Sequence, residues 1–162
     1  MKLECKDSVI SNAGEGLFAM QDIKKGELVC QYMGIICSKT EMMELYQQDP
    51  DDFVESIHPS ARDLDDKQVI LGQDSEDLEE NGVLINDGAK PNNIKPKLLR
   101  AYIKKSQSKA NVEIIHINGE LFYQASKNIK SGSELYAHYG VGYWLLAMNV
   151  PAQKIPQIVA KL

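Results

Sequence analysis

The sequence predicts a mainly β domain with short helices, and three observations carry that expectation. Apolar runs are short and repeatedly broken by glycine, asparagine, aspartate and proline, the pattern of brief strands joined by turns. Asn118-Gly119 separates two such runs, and that dipeptide favours a two-residue hairpin turn. A helix start is marked at Ser38-x-x-Glu41, where the two side chains can cap each other's backbone donors.

Along the chain, residues 7–37 read as short strands and turns, with 22–26 as a turn between two apolar-rich runs. The capping box places a short helix over about 39–48. "FVESIH" (53–58) and "QVILGQ" (68–73) read as two strands around the polar "PSARDLDDK", a hairpin-like arrangement. "GVLINDGAKPNN" (82–93) starts as an apolar stub and runs into polar turns, and "LLRAYIKK" (98–105) is left without an assigned element. Residues 112–129 read as the Asn118-Gly119 hairpin, and 130–140 continue the strand character. Near the C-terminus, Ile155, Ile158, Val159 and Leu162 share one face of an amphipathic helix. No internal repeat, low-complexity tract or interdomain linker is visible.

At 162 residues the chain reads as one domain, large enough to bury a core without staples. Its 43% hydrophobic and 25% charged residues are ordinary for a soluble globular protein. No apolar run approaches the roughly 18–20 residues of a membrane span, and "MKLECKDSVI" lacks the apolar centre of a secretory signal. Cys5, Cys30 and Cys37 are odd in number and show no C-x-x-C spacing. That argues against a disulfide framework or zinc site and for a reducing intracellular compartment. Residues 49–80 carry twelve acids against Arg62 and Lys67, a net −10, while the remainder is +5. Such a stretch is a solvated insertion or a face that attracts a basic partner. It is a poor surface for nucleic acid.

Gly14-Glu15-Gly16-Leu17-Phe18-Ala19 fits the dinucleotide fingerprint G-x-G-x-x-[G/A]. That fingerprint needs a strand, a helix and a second strand, yet only about ten residues separate Gly16 from Gly26 and the next strand-like run. The remaining motifs decide the matter. "AGEGLFA", "DIKKGELVCQYMG", "INDGAKPN" and "GSELYAHYGVGYW" occur in that order. Together they resemble the SET-domain protein-lysine methyltransferases. In that family a G-x-G loop precedes I-x-x-G-E, a tyrosine before glycine, N-H-S-x-x-P-N and E-L-x-x-x-Y-G.

The resemblance spans about residues 8–146 and is nearest to minimal SET proteins without zinc-binding flanking segments, no cysteine following Cys37. It implies a SET domain over 1–148, with several small sheets around a knot-like threaded core and a variable insertion at 38–80. Residues 149–162 form a C-terminal amphipathic tail, closing the substrate side or pairing with a second copy in a homodimer. The implied cofactor is S-adenosylmethionine. Backbone at Gly14, Glu15 and Gly16 would lie against its methionine part, where a missing Cβ allows close approach.

Asn86 matches the asparagine that contacts the charged methionine end. Asp87 stands where the family has histidine and Gly88 where it has serine. Asp87 then either gives backbone contacts to the adenine or weakens a core that its side chain should brace. Trp144, the single tryptophan, resembles the aromatic residue beside the adenine, with core packing as the alternative. Tyr139 aligns with the tyrosine of the Y-G motif: a catalytic residue bordering the cofactor, orienting the amine and touching the methyl through weak C–H···O contacts.

Tyr32 in "QYMG" resembles the second channel tyrosine. Ala137 and Tyr136 fall at the substrate channel, although Tyr136 and Tyr143 are read as packing residues first and Phe122 and Tyr123 as core. Ala137 occupies a position where relatives carry a ring, giving room for di- or trimethylation. His58, His116 and His138 lack ligand spacing and are expected at the surface or in strands, with no metal site. The resemblance implies methyl transfer to lysine in a basic protein substrate such as a histone, nuclear in that case, with no direct nucleic-acid or membrane contact. A catalytically inactive SET fold that binds peptides is the alternative.

Overall fold

The first hairpin joins β1 (Leu3–Asp7) to β2 (Glu15–Ala19) in antiparallel register, in a computed structural model that describes residues 3–72 and 81–162. The part of the acidic stretch that holds Asp74, Glu76, Asp77, Glu79 and Glu80, expected to be a solvated insertion or a face for a basic partner, lies outside the described residues. β3 (Leu28–Gln31) and β4 (Gly34–Ser38) follow the turn at 22–26. α1 (Lys39–Gln48) then starts on the expected capping box, the Ser38 side chain accepting from the Glu41 amide and Glu41 accepting from the Ser38 amide.

Residues 53–58 are helical, not a strand. α2 (Pro50–Asp52) is capped by the Asp49 side chain, and the helical path continues through a π-turn at Phe53–Ile57 and a 3-10 turn at His58–Ser60. The start signal of an aspartate cap followed by proline outweighs the β-propensity of Phe53, Val54 and Ile57. Burial of Phe53 with Met42 and Val69 fixes the result. The strand comes later, inside the segment read as a polar loop. β5 (Ala61–Asp63) pairs with β6 (Gln68–Gly72), which pairs with β4, so β5 is an edge strand carrying Arg62.

β8 (Val112–Ile117) and β9 (Glu120–Ala125) form the expected hairpin. Asn118 and Gly119 both hold positive φ, 53° and 84°, as a type I′ turn requires. β3 completes this sheet against β9. The strand character read over 130–140 narrows to β10 (Tyr136–Ala137), which pairs in parallel with the distant β7 (Asn86–Asp87). The described strands thus form four small sheets of two or three strands each.

The unassigned "LLRAYIKK" lies within α3 (Pro96–Lys109), whose buried Leu99, Tyr102 and Ser106 follow helical spacing. α4 (Val141–Ala147) and α5 (Ile155–Val159) follow. Ile155, Ile158 and Leu162 pack against a core holding Leu99, Tyr102 and Leu145. Val159 does not join them; it is 43% exposed, because the last turns bend the tail back onto α3. There the Arg100 side chain donates to the carbonyls of Lys161 and Leu162. No helix among the described residues is long and apolar enough to cross a membrane.

Candidate functional site

The glycine loop meets a buried carboxylate. Glu134 is 5% exposed and accepts from Ser8 Oγ at 2.6 Å, the Val9 amide at 3.0 Å, the Tyr136 hydroxyl at 2.7 Å and Asn86 Nδ2 at 3.3 Å. A Cβ on Gly16 would lie 2.4 Å from Glu134 Oε1, so that position must be bare. Gly14 instead serves a backbone at φ +71°, the left-handed region open to glycine. Asn86 Nδ2 also donates to the Glu15 carbonyl at 2.9 Å, tying β7 to the loop. Among the described residues no donor meets Asn86 Oδ1, which leaves one acceptor at the edge of a cleft.

Asp87, the departure from the family pattern, is a hub. Its carboxylate accepts from Tyr102 Oη at 2.5 Å, Trp144 Nε1 at 2.9 Å, the Ala89 amide at 3.1 Å, the Tyr139 amide at 3.2 Å and Ser106 Oγ. A buried charge is tolerable only when its lone pairs are met by donors, and here five donors do so. α3, α4 and the Tyr139 backbone therefore converge on one side chain. The Asp87 side chain thus lies inside the core, held by donors from α3, α4 and the Tyr139 backbone. Burial and the bond to Asp87 push the Tyr102 phenol far above the usual range. Gly88, in place of serine, has the Lys109 side chain 2.7 Å from where a Cβ would stand.

Four aromatic residues gather around Tyr139. Its hydroxyl donates to the Ile85 carbonyl at 2.5 Å, while its ring meets Tyr143 edge-on at 4.6 Å and lies nearly parallel to Trp144 at 6.4 Å. Tyr32, 1% exposed, donates to the Ser60 carbonyl at 2.6 Å and meets the Tyr123 ring edge-on. Burial pushes the Tyr32 phenol up to about 12 and the Tyr139 phenol higher still, the Arg62 charge opposing both shifts. Both hydroxyls therefore stay protonated at neutral pH.

A cation stands inside this cluster. The Arg62 guanidinium carbon lies 4.3 Å from the Tyr139 ring centre and 5.5 Å from those of Tyr32 and Tyr143. Its Nη1 donates to the carbonyls of Ala61 at 2.8 Å and Pro59 at 3.2 Å. His58 stacks on Tyr143 at 4.5 Å. It is buried in the helical segment, at 7% exposure, not at the surface or on a strand as expected. Burial, with a smaller contribution from Arg62, lowers its pKa to about 4.

Tyr139 borders three cavities; an open one of about 440 Å³ is shared with His58, Arg62 and Tyr143, and the other two involve further site residues singled out in the sequence. One is an open cleft of about 630 Å³ whose wall includes Asn12, Asn86, Asp87, Lys90, Tyr143 and Trp144. The other, of about 330 Å³, is bounded by Arg62, Tyr123, Ala137 and His138. The structure thus brings together Asn86, Asp87, Trp144 and Tyr139, and on the second side Tyr139 and Ala137. Residues 10–13 face the cleft, whereas Gly16 backs onto Glu134.

Tyr136 falls outside the tyrosine cluster. Successive strand residues point to opposite faces, so with Ala137 beside the second cavity, Tyr136 turns to Glu134. Tyr123 is core as expected, yet it also edges the second cavity. Phe122 is half-buried and His116 is exposed on β8. His138 Nδ1 lies 2.7 Å from Ser106 Oγ.

Sequence reasoning missed Arg62, Glu134 and Ser106. Glu134 was legible as the first residue of E-L-x-x-x-Y-G, whereas nothing local marked the other two. Among the described residues no group of three His, Cys, Asp or Glu side chains is placed to hold a metal.

Comparisons with known proteins follow this geometry. No curated protein matches the chain significantly. A chain in the crystal structure of the Chaetomium thermophilum polycomb repressive complex 2 superposes with a TM-score of 0.56 at 23% identity, over 85% of this chain and 15% of that one. A chain of an active polycomb repressive complex 2 in the stimulated state gives 0.57 at 23% identity, over 86% and 15%. The protein thus spans about 15% of the length of these neighbours, and at this identity they show a shared fold. A SET domain model matches residues 14–140, from the first glycine of the loop to the glycine after Tyr139, and the chain accordingly belongs to the SET-domain family.

Proposed function

We propose that the protein transfers a methyl group from S-adenosylmethionine to a lysine amine of a basic protein substrate. One observation carries the reading: Tyr139 stands between a cleft suited to the cofactor and a second cavity lined by tyrosine. At about 630 Å³ the cleft falls within the usual size of a ligand site. Its residues also fit the group. Asn86 Oδ1 offers an unmet acceptor for an ammonium, Lys90 a cation for a carboxylate and Trp144 an aromatic face for a base. When bound, S-adenosylmethionine supplies an activated methyl on a sulfonium leaving group.

The chain's own residues must then position a neutral amine. A free lysine with a pKa near 10.4 is neutral in roughly one molecule per thousand at pH 7.4, and burial among apolar rings disfavours the charged form. Tyr139, fixed by the Ile85 carbonyl, orients that amine without reorganising as the reaction proceeds. Ala137 leaves space in the second cavity for a nitrogen that already carries methyl groups. Exposed Asp51, Asp52, Asp63, Asp65 and Asp66 attract a basic tail. A histone is the substrate class we assign, with nuclear localisation as its consequence.

Incubation with labelled cofactor and a panel of basic proteins tests this reading. Label should appear on lysine, and Tyr139→Phe should abolish most turnover while leaving cofactor affinity within about twofold. Asn86→Ala should weaken cofactor binding by about tenfold or more, as an unmet charged group costs roughly 1–3 kcal/mol. A folded Tyr139→Phe variant with wild-type turnover sinks the assignment. A second reading, a SET fold that binds peptide without methylating it, is favoured by one feature, the Arg62 cation within the tyrosine cluster.

A further inference from the structure

Among the described residues Arg62 is the cation drawn into the tyrosine cluster, and it arrives from an edge strand. Its side chain leaves β5, which pairs with β6 alone, and its charged end lies over the Tyr139 ring. Guanidinium is always protonated in proteins, so the charge is permanent. Among the described residues no carboxylate forms an ion pair with it. Two main-chain carbonyls and three ring faces hold it instead. Tyr123 adds a buried hydroxyl close enough to Arg62 that the guanidinium opposes the rise burial gives this phenol's pKa.

The same rings would receive a substrate amine under the function proposed above, and this inference rests on that reading. An ammonium and a guanidinium cannot share the face of Tyr139: they compete for one volume, and like charges at this distance repel. Next along β5 lies exposed Asp63, which borders an open cavity together with Arg62, Tyr139 and Tyr143 and offers a displaced cation a carboxylate neighbour. We infer that Arg62 is a resident competitor for the substrate-amine site, which a basic substrate must displace before it can reach Tyr139. The apparent affinity for substrate is then reduced by the fraction of molecules in which the side chain has swung out.

The test compares wild type, Arg62→Ala and, as a control for simple loss of one positive charge, exposed Lys67→Ala. The probe is an acetylated Gly-Lys-Gly-Lys-Gly-Lys peptide, titrated calorimetrically without cofactor and then assayed with labelled cofactor. Arg62→Ala should bind the peptide about tenfold more tightly, the scale of one desolvated cation–π contact, while Lys67→Ala changes affinity by less than about twofold. In turnover the gain should appear as a lower KM.

A second measurement needs no variant. In the wild-type NMR spectrum, ring currents should displace the Arg62 side-chain resonances, and saturating peptide should return them toward free-arginine positions. Equal or weaker peptide binding by folded Arg62→Ala, a gain matched by Lys67→Ala, or Arg62 resonances unmoved at saturation overturns the competitor role, even if methyl transfer is observed. Tighter binding by Arg62→Ala with no label transfer by either chain upholds the competitor and overturns the methyltransferase reading.

Discussion

Asp87→Asn is a stringent probe of how this chain holds its site, because it changes one oxygen to an amide group and almost no volume. Three of the five donors around Asp87 cannot reverse: the Ala89 amide on Oδ1, and the Tyr139 amide and Trp144 Nε1 on Oδ2. Tyr102 and Ser106 carry hydroxyls that can turn and accept. The less costly orientation of asparagine places its NH2 toward Ala89 and Ser106. Ser106 adapts, but the Ala89 amide then faces another donor in a buried place. That stranded group costs about 1–3 kcal/mol, and the remaining bonds lose the strength that a charged acceptor gives.

Weakening of those charge-assisted bonds adds about 2–3 kcal/mol and relief of a buried charge offsets part of the total, so the net destabilisation is about 2–4 kcal/mol. For a chain of this size that is a fall in Tm of roughly 5–15 °C. Urea unfolding at unchanged m-value gives the free energy. Trp144, the single tryptophan and itself a donor to Asp87, reports the local change by fluorescence. Asp87→His, which restores the residue of the family pattern, should be at least as destabilising, since one imidazole acceptor cannot meet three fixed donors. An Asp87→Asn variant within about 0.5 kcal/mol of wild type would refute the hub.

Two further outcomes follow from the same geometry. His58 is held near pKa 4 in the folded chain against about 6.5 unfolded, so the unfolded state binds more protons between those values. Its contribution is complete above about pH 6.5 and is lost as pH falls toward 4, at most about 3 kcal/mol. His58→Phe should therefore shrink the drop in Tm between pH 7 and pH 5 by several degrees, and an unchanged drop refutes the account. Ala137→Phe should fill the cavity beside Tyr139 and shift products toward monomethyl-lysine by mass spectrometry. A wild-type reaction that itself stops at one methyl group removes the basis for that expectation.

Local signals set much of the architecture. The Ser38–Glu41 capping box, the Asn118-Gly119 turn and the alternation along 112–125 each act within a few residues, so their outcome is readable without the rest of the chain. The ordered motifs likewise identified the family and picked out Asn86, Ala137, Tyr139 and Trp144, which the fold gathers around two adjoining cavities. The sequence misled where two local signals competed. At 49–58 the Asp49-Pro50 helix start prevailed over a β-branched and aromatic run because Phe53 could be buried from a helix. That choice moved the strand to 61–63 and placed Arg62 on an edge strand facing the tyrosines.

The tertiary structure alone decided the polar interior. Asp87 finds Tyr102 and Ser106 on α3 and Trp144 on α4, and Glu134 finds Ser8 and Val9 from the far end of the chain. A buried charge is stable only when donors from separate elements converge on it. Such convergence depends on how elements pack rather than on their order along the chain. The same holds for Arg62, an unremarkable basic residue in an acidic stretch until folding surrounds it with the rings of Tyr32, Tyr139 and Tyr143.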